Sequence, residues 1–370
     1  VYLFILKVYT FNIYCIQKGD IMLNIGFIGF GKSANRYHLP YVIQRENIKV
    51  KTIFNLHINE ELAAPYIEKG VNFTTHLEDL LNDDEIQLIS ICTPAHTHYE
   101  LAKKVIKAGK SVIVEKPFVD TLEHAKELLH LGREKGVMVL PYQNRRFDGD
   151  YLAVKQVIER GLLGDILEVE AHIDYYRPGS ITEPGKKEAG AFYGLGIHSM
   201  YRLIALFGRP DIVTYDIRNN EIEEAVDNYF DVDLHYGHQL KVKVKTSHIV
   251  AQNYPRFIVH GTKGSFIKYG EDQQENDLKA GTMPQVSGFG EDSPMNYGIV
   301  KYQNSNGDWI TKQVKTPVGD YGRYYDAAYE TIINGAPKIV KDEEILTNIE
   351  ILENGFKQPS PSVYYLNKLD

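Results

Sequence analysis

Leu23 to Phe30 (LNIGFIGF) is a short apolar run ending in glycines, the pattern of a strand buried on both faces in a parallel sheet. A helical stretch follows, and Lys49–Asn55 (KVKTIFN) predicts a second strand. The chain then alternates. Leu77–Leu81 reads as a short helix and Ile86–Cys92 as a strand, and His98–Ala108 reads as a helix stopped by Gly109. Ser111–Val114 is a further strand. Thr121 is placed to cap a helix running to Lys135, Gly136 to end it, and Val137–Pro141 closes the series. Strands alternating with helices predict βαβ units around a parallel sheet, ending near residue 143.

The texture then changes. A helix over Tyr151–Arg160 precedes Ile166–Tyr176, a strand of alternating character, and His198–Phe207 is helical. Ile212–Ile217, Tyr229–Tyr236, Leu240–Val250, Arg256–His260 and Ser265–Tyr269 carry a period of two, which suits a sheet with one core face and one solvated or partner-covered face. Residues 271–296 are polar, contain Gly and Pro, and read as a long excursion. Two helices, Tyr321–Asn334 and Asp342–Lys357, end the chain. The expected division is an α/β unit over 22–143 and an α+β unit with an open, mainly antiparallel sheet over 144–370.

Residues 1–21 fit neither unit. Val1–Ile16 is apolar and aromatic, without the basic start or small-residue cleavage site of a signal peptide, and shorter than the roughly 20 residues of a spanning helix. Lys18-Gly19-Asp20 can be encoded by a stretch containing a bacterial ribosome-binding sequence, and Met22 stands just before the first strand. The expectation is that 1–21 is translated upstream sequence, not native protein.

With 370 residues the length suits two domains. A net charge of −8, with no basic block, argues against a nucleic-acid-coating protein. No run suits a membrane. Two cysteines, Cys15 and Cys92, form neither a disulfide framework nor a Cys-rich metal site, which suits a reducing cytoplasm. His96-Thr97-His98 has the wrong spacing and company for a metal, so no metal is expected.

Gly29-Phe30-Gly31-Lys32-Ser33-Ala34 is a G-x-G-x-x-A motif between a predicted strand and a predicted helix. Gly29 allows the tight turn, Gly31 lets backbone approach a pyrophosphate, and Ala34 keeps helix and strand close. The phosphate would sit on free N–H groups at the helix start. In that context the motif predicts a Rossmann fold binding a nicotinamide dinucleotide. The second strand ends in Asn55-Leu56-His57, with no acid for a ribose 2′-hydroxyl. Asn55 would not repel a 2′-phosphate and Lys32 or His57 would attract it, so NADP is favoured over NAD.

Further segments carry a resemblance. Cys92-Thr93-Pro94-Ala95-His96-Thr97-His98 follows a strand, and Ala108 to Pro117 reads AGKSVIVEKP. With Pro141–Phe147, Gly190–His198 and His260–Ser265, these resemble the glucose-fructose oxidoreductase / inositol dehydrogenase (Gfo/Idh/MocA) family over essentially everything from Met22 on. The resemblance implies that Lys116 binds the reacting hydroxyl near the nicotinamide, that Glu115 orients the cofactor ribose or Lys116, and that Thr93, Pro94 and His98 line the nicotinamide side. His198 is implied as the general acid/base. It also implies a homodimer or homotetramer, through the sheet face that too few helices cover. The physical logic agrees: alcohol oxidation needs a proton acceptor with a pKa near working pH, which favours His, and an ammonium that stabilises a developing alkoxide.

Gln143, Asn144 and Arg145 follow the last parallel strand and should face the cleft between units, with Arg177 as a further substrate contact. Pro178–Gly190 is either a lid or a plain solvated loop. One departure stands out. The family pattern GxxxDxxxH has Gly194 where the acid belongs. Asp174, Tyr175 and Tyr193 are the candidate replacements. Three function classes follow: a dehydrogenase of a sugar, inositol or related polyol; a reductase of a non-sugar carbonyl or unsaturated substrate; or a non-catalytic cofactor sensor.

Overall fold

The computed structural model describes residues 21–368. The reading of 1–21 as an upstream extension therefore falls almost wholly outside the described residues, as does Cys15.

The first half is a six-stranded sheet: β1 (Leu23–Ile28), β2 (Ile48–Phe54), β3 (Asn72–Thr74), β4 (Leu88–Ile91), β5 (Ser111–Val114) and β6 (Val139–Pro141). All neighbours are parallel, in the order β3-β2-β1-β4-β5-β6. This is the Rossmann arrangement, and its order reverses between β1 and β4, where open α/β sheets bind ligands at the strands' carboxyl ends. Every residue of β4 and β5 is buried, which is why these strands read as unbroken apolar runs. The helix Leu122–Lys135 starts where Thr121 accepts a hydrogen bond from the His124 N–H and ends on Gly136, at φ +67°.

The second half is a nine-stranded sheet. Its strands are β7 (Ile166–His172), β8 (Ile212–Arg218), β9 (Tyr229–Tyr236), β10 (Leu240–Ser247), β11 (Phe257–Gly261), β12 (Gly264–Lys268), β13 (Gly298–Gln303), β14 (Trp309–Val314) and β15 (Ser362–Tyr365). The order is β14-β13-β12-β11-β7-β10-β9-β8-β15; β7 and β10 run parallel and the other neighbours antiparallel. The alternation has a simple cause. Val232, Leu234, Val242, Val244, Phe257 and Val259 point to one face and pack with Ile197, Met200, Leu203 and Ile204 of the helix Ile197–Phe207. The other face is a charged lattice in which Lys243 meets Asp231 at 2.5 Å and Asp233 at 3.0 Å.

The chain returns at its end. Tyr324 and Tyr325 of the helix Gly322–Asn334, and Ile345 and Ile349 of the helix Asp342–Asn354, join the core of the parallel sheet. Four strands escaped the pattern analysis: β3, β13, β14 and β15. β14 alternates intermediate with exposed positions and leaves Trp309 59% exposed, so its strand character comes from pairing with β13 and not from an apolar stripe. The predicted excursion 271–296 also contains a helix, Gln273–Lys279.

Candidate active site

The parallel strands end at a cleft of about 530 Å³ between the two sheets. At β1 the chain turns through Gly29, at φ +100°; a Cβ there would lie 2.8 Å from the Cys92 carbonyl oxygen. A Cβ on Gly31 would meet nothing within 4 Å. The turn is therefore tight on one side and open on the other, as a cradled pyrophosphate requires. Phe30 is buried and packs edge-on against Phe73, while its N–H donates to Asn55 Oδ1 at 3.2 Å. Ala34 is fully buried. Lys32 and Ser33 line the cleft at the start of the helical segment, which widens to a π-helix over Ala34–His38. Such widened turns recur at functional sites. Asn55 Nδ2 donates to the His57 carbonyl oxygen and His57 is exposed, so the end of β2 presents no carboxylate to a ribose. The turn, the open approach at Gly31 and the Lys32 ammonium fit a dinucleotide.

Lys116 follows β5, and its peptide bond to Pro117 is cis. Glu115 is held from three sides. Its Oε1 accepts from Ser33 Oγ and lies 3.0 Å from His38 Nε2, and its Oε2 accepts the Lys116 N–H at 2.8 Å. Burial raises the Glu115 pKa, but the bonds from His38, Ser33 and Lys116 outweigh it and bring it to about 2. Glu115 thus braces the Lys116 turn against the glycine-turn helix. The Lys116 ammonium lines the cleft, and its pKa is lowered by burial, against the pull of Glu115 and Glu275.

His198 comes from the antiparallel half, directly after a second π-helical turn, Phe192–Gly196. It lines the cleft, is 7% exposed, and its Nδ1 meets no partner among the described residues. Its pKa is driven well below the ordinary value, first by burial and then by Lys116, Arg145, Arg202 and Arg256. Arg202, one turn along the same helix, is itself fixed by Asp148 at 3.1 Å and Asp150 at 3.3 Å. The imidazole is neutral at neutral pH and ready to take a proton.

The remaining candidates divide. Thr93, Asn144, Arg145, Tyr175 and Arg177 line the cleft, and the Arg177 guanidinium stacks 3.7 Å over the Tyr175 ring. Pro94 begins a 3₁₀ turn off the cleft wall. His98 is a brace, with Nδ1 at 2.8 Å from the Pro117 carbonyl oxygen and Nε2 at 2.9 Å from that of Thr93. Gln143 is buried away from the cleft wall. Tyr193 is also buried off the wall, and Asp174 lines a neighbouring cavity of about 310 Å³ instead. The loop after Arg177 is tied to residues 219–228, as in the Asn219 Nδ2 bonds to the Ile181 and Val226 carbonyl oxygens. Pattern reasoning missed Tyr37, Leu195, Glu275 and Lys279 on the wall. Tyr37 stood inside a segment already singled out, whereas Glu275 and Lys279 lay in the stretch read as an excursion. Among the described residues no group of three or more His, Cys, Asp or Glu could hold a metal ion, and no helix is long and apolar enough to cross a membrane.

Comparison with known proteins agrees with this geometry. Residues 23–143 match the model of an oxidoreductase family's NAD-binding Rossmann fold, and residues 155–365 match that family's C-terminal alpha/beta domain. The chain is 52% identical to the oxidoreductase YhhX of Escherichia coli (strain K12), over 94% of this chain and 100% of that protein. It is 35% identical to scyllo-inositol 2-dehydrogenase (NADP(+)) IolW of Bacillus subtilis (strain 168), over 90% of this chain and 92% of that one. A crystal structure of an oxidoreductase from Bacillus cereus superposes with a TM-score of 0.93 at 77% identity, covering 94% of this chain and 100% of that one.

Proposed function

Since this chain belongs to the Gfo/Idh/MocA oxidoreductase family, by both of its halves, we propose that it oxidises a ring polyol of the inositol type, or reduces the matching ketone, with NADP as its cofactor. The observation that carries the reading is the pair facing one cleft: a buried imidazole held neutral by its surroundings and a buried ammonium braced by Glu115.

When bound, the nicotinamide supplies the acceptor or donor of hydride. The chain does the rest. Gly29, Gly31 and the helical segment from Lys32 cradle the pyrophosphate. Lys116 donates a hydrogen bond to the reacting oxygen and stabilises its negative charge as it develops. His198 takes the hydroxyl proton in oxidation and returns one in reduction. The walls exclude water, which strengthens both interactions. NADP is preferred because Asn55, Leu56 and His57 set no carboxylate against a 2′-phosphate, and the Bacillus subtilis relative carries NADP(+) in its name.

We also infer that copies associate through the charged outer face of the nine-stranded sheet, in keeping with the alternation of β7, β9 and β10.

The test follows NADPH absorbance over a panel of inositols, sugars, keto-sugars and non-sugar ketones. Turnover of an inositol with NADP, and little with NAD, is expected. Turnover confined to non-sugar carbonyls overturns the polyol reading.

A further inference from the structure

The cleft holds an acid that neither the glycine turn nor the Lys116 turn provides. Glu275 lies on the helix Gln273–Lys279, is 3% exposed, and lines the cleft with Lys116 and His198. Three donors converge on one of its oxygens. Tyr37 Oη is 3.2 Å from Oε1, Arg145 Nη2 3.3 Å and Lys279 Nζ 3.5 Å. The other oxygen, Oε2, is buried and meets no donor among the described residues.

That asymmetry is informative. Leaving one oxygen of a buried carboxylate unpaired is costly, and native interiors seldom do so without a reason. Neutralising Arg145 and Lys279 would explain Oε1 and leave Oε2 idle. The three donors fix the carboxylate from one side, so Oε2 is held in a set position. Its negative charge also reaches Lys116, where it opposes the loss of basicity that burial imposes. Gly194, on the same cleft, contributes no side chain, and a Cβ there would meet nothing within 4 Å. Room for a ligand is therefore left beside the catalytic pair.

We propose that Glu275 sets substrate specificity by accepting, at Oε2, a hydrogen bond from a second hydroxyl next to the carbinol handled by Lys116 and His198. The proposal rests on the function given above and narrows its substrate class to vicinal diols. An ionised carboxylate only accepts, so a plain ketone or a monohydric alcohol leaves Oε2 unpaired and a substrate carboxylate is repelled. Glu275 is not asked to move the reacting proton.

The experiment compares scyllo-inositol with the same ring lacking one hydroxyl beside the reacting carbon, using NADP and the wild type, Glu275→Gln and Glu275→Ala. The wild type is expected to favour the full inositol by roughly ten- to a hundred-fold in kcat/KM, the worth of a hydrogen bond to a charged group. Glu275→Ala should lose that preference and Glu275→Gln should shrink it, mainly through KM, with NADPH affinity by fluorescence titration unchanged. A preference retained in both variants overturns the proposal, because a purely structural carboxylate would change stability and not hydroxyl selectivity. Should the wild type turn over no polyol at all, the function above falls, and Glu275 is judged by binding. Stabilisation of the enzyme–NADPH complex by scyllo-inositol in a thermal melt, lost in both variants, supports it. Equal stabilisation in all three proteins, or none in the wild type, overturns it.

Discussion

His38 Nε2 stands 3.0 Å from Glu115 Oε1, and this contact ties the helical segment that begins at the glycine turn to the turn that carries Lys116. The rest of the His38 ring is fixed too: Nδ1 lies 2.6 Å from the Tyr325 hydroxyl, and the ring stacks on Tyr142 at 3.9 Å. Cofactor cradle and reacting ammonium thus share one buried carboxylate.

Glu115→Gln should therefore cost stability as well as activity. A carboxylate brought from an ordinary value near 4.3 down to about 2 contributes on the order of 3 kcal/mol to folding. The folded pKa is depressed, so this contribution is complete above the unfolded pKa and is lost as pH falls towards about 2. Urea unfolding at neutral pH should show the full loss in Glu115→Gln. The gap between variant and wild type should close as the buffer is acidified through that window.

Removing either member of the reacting pair should leave cofactor binding intact and stop chemistry. His198→Ala should lower kcat by roughly 10²–10⁴-fold, the usual worth of a positioned acid–base group. Lys116→Ala should lower it by about 10²–10³-fold, as for loss of one donor to a developing oxyanion. Kinetics with NADPH fluorescence titration checks both; near-normal turnover in both variants would refute the assignment.

The two directions should differ in their response to pH. Burial and the surrounding cations hold the His198 pKa well below 6.5, so the proton acceptor for oxidation is already available at neutral pH. Oxidation should stay flat on acidification past that value and fall only well below it. Reduction needs the imidazolium and should weaken steadily as pH rises. An alkaline decline should set in below the ordinary lysine value, because burial lowers the Lys116 pKa from 10.5. Profiles of kcat/KM in both directions across about pH 5 to 9 test this.

Asn55→Asp should reverse the cofactor preference. The new carboxylate can still accept the Phe30 N–H, which now reaches Asn55 Oδ1 at 3.2 Å, so the glycine turn should persist. It would repel a 2′-phosphate and accept from a 2′-hydroxyl. NADPH affinity should drop about ten-fold or more while NADH affinity improves, as read by paired titrations.

Light scattering should find a dimer or tetramer, weakened by salt if the lattice around Lys243, Asp231 and Asp233 lies in the contact. A monomer at all concentrations would refute association through this face.

The first half was legible because its signals are local and obligatory. A fully buried strand must be apolar along its length, and a chain turning at φ +100° against the Cys92 carbonyl must use glycine. Lys116 and His198 were found because their neighbours are patterned. Glu275 was not, because its helix buries Gln274 and Glu275 alongside Leu278. Polar side chains there are buried by bonds from distant partners, such as the Tyr41 hydroxyl that donates to Gln274 Oε1 at 3.0 Å. No local pattern announces such burial. The edge pair β13 and β14 was lost for the same reason, and His98 was read as a cofactor contact because the two carbonyl groups it joins lie 19 and 5 residues away.

The tyrosines near the chain's end have a bearing on synthesis. Tyr324 donates to the Pro141 carbonyl oxygen at 2.6 Å, and Tyr325 is wholly buried against His38 and Ser90. On the ribosome, the nucleotide-binding half emerges long before these side chains do. Until translation is almost over, the underside of its β4–β6 edge stays wet, and a truncated nascent chain would carry that apolar wound into the cell.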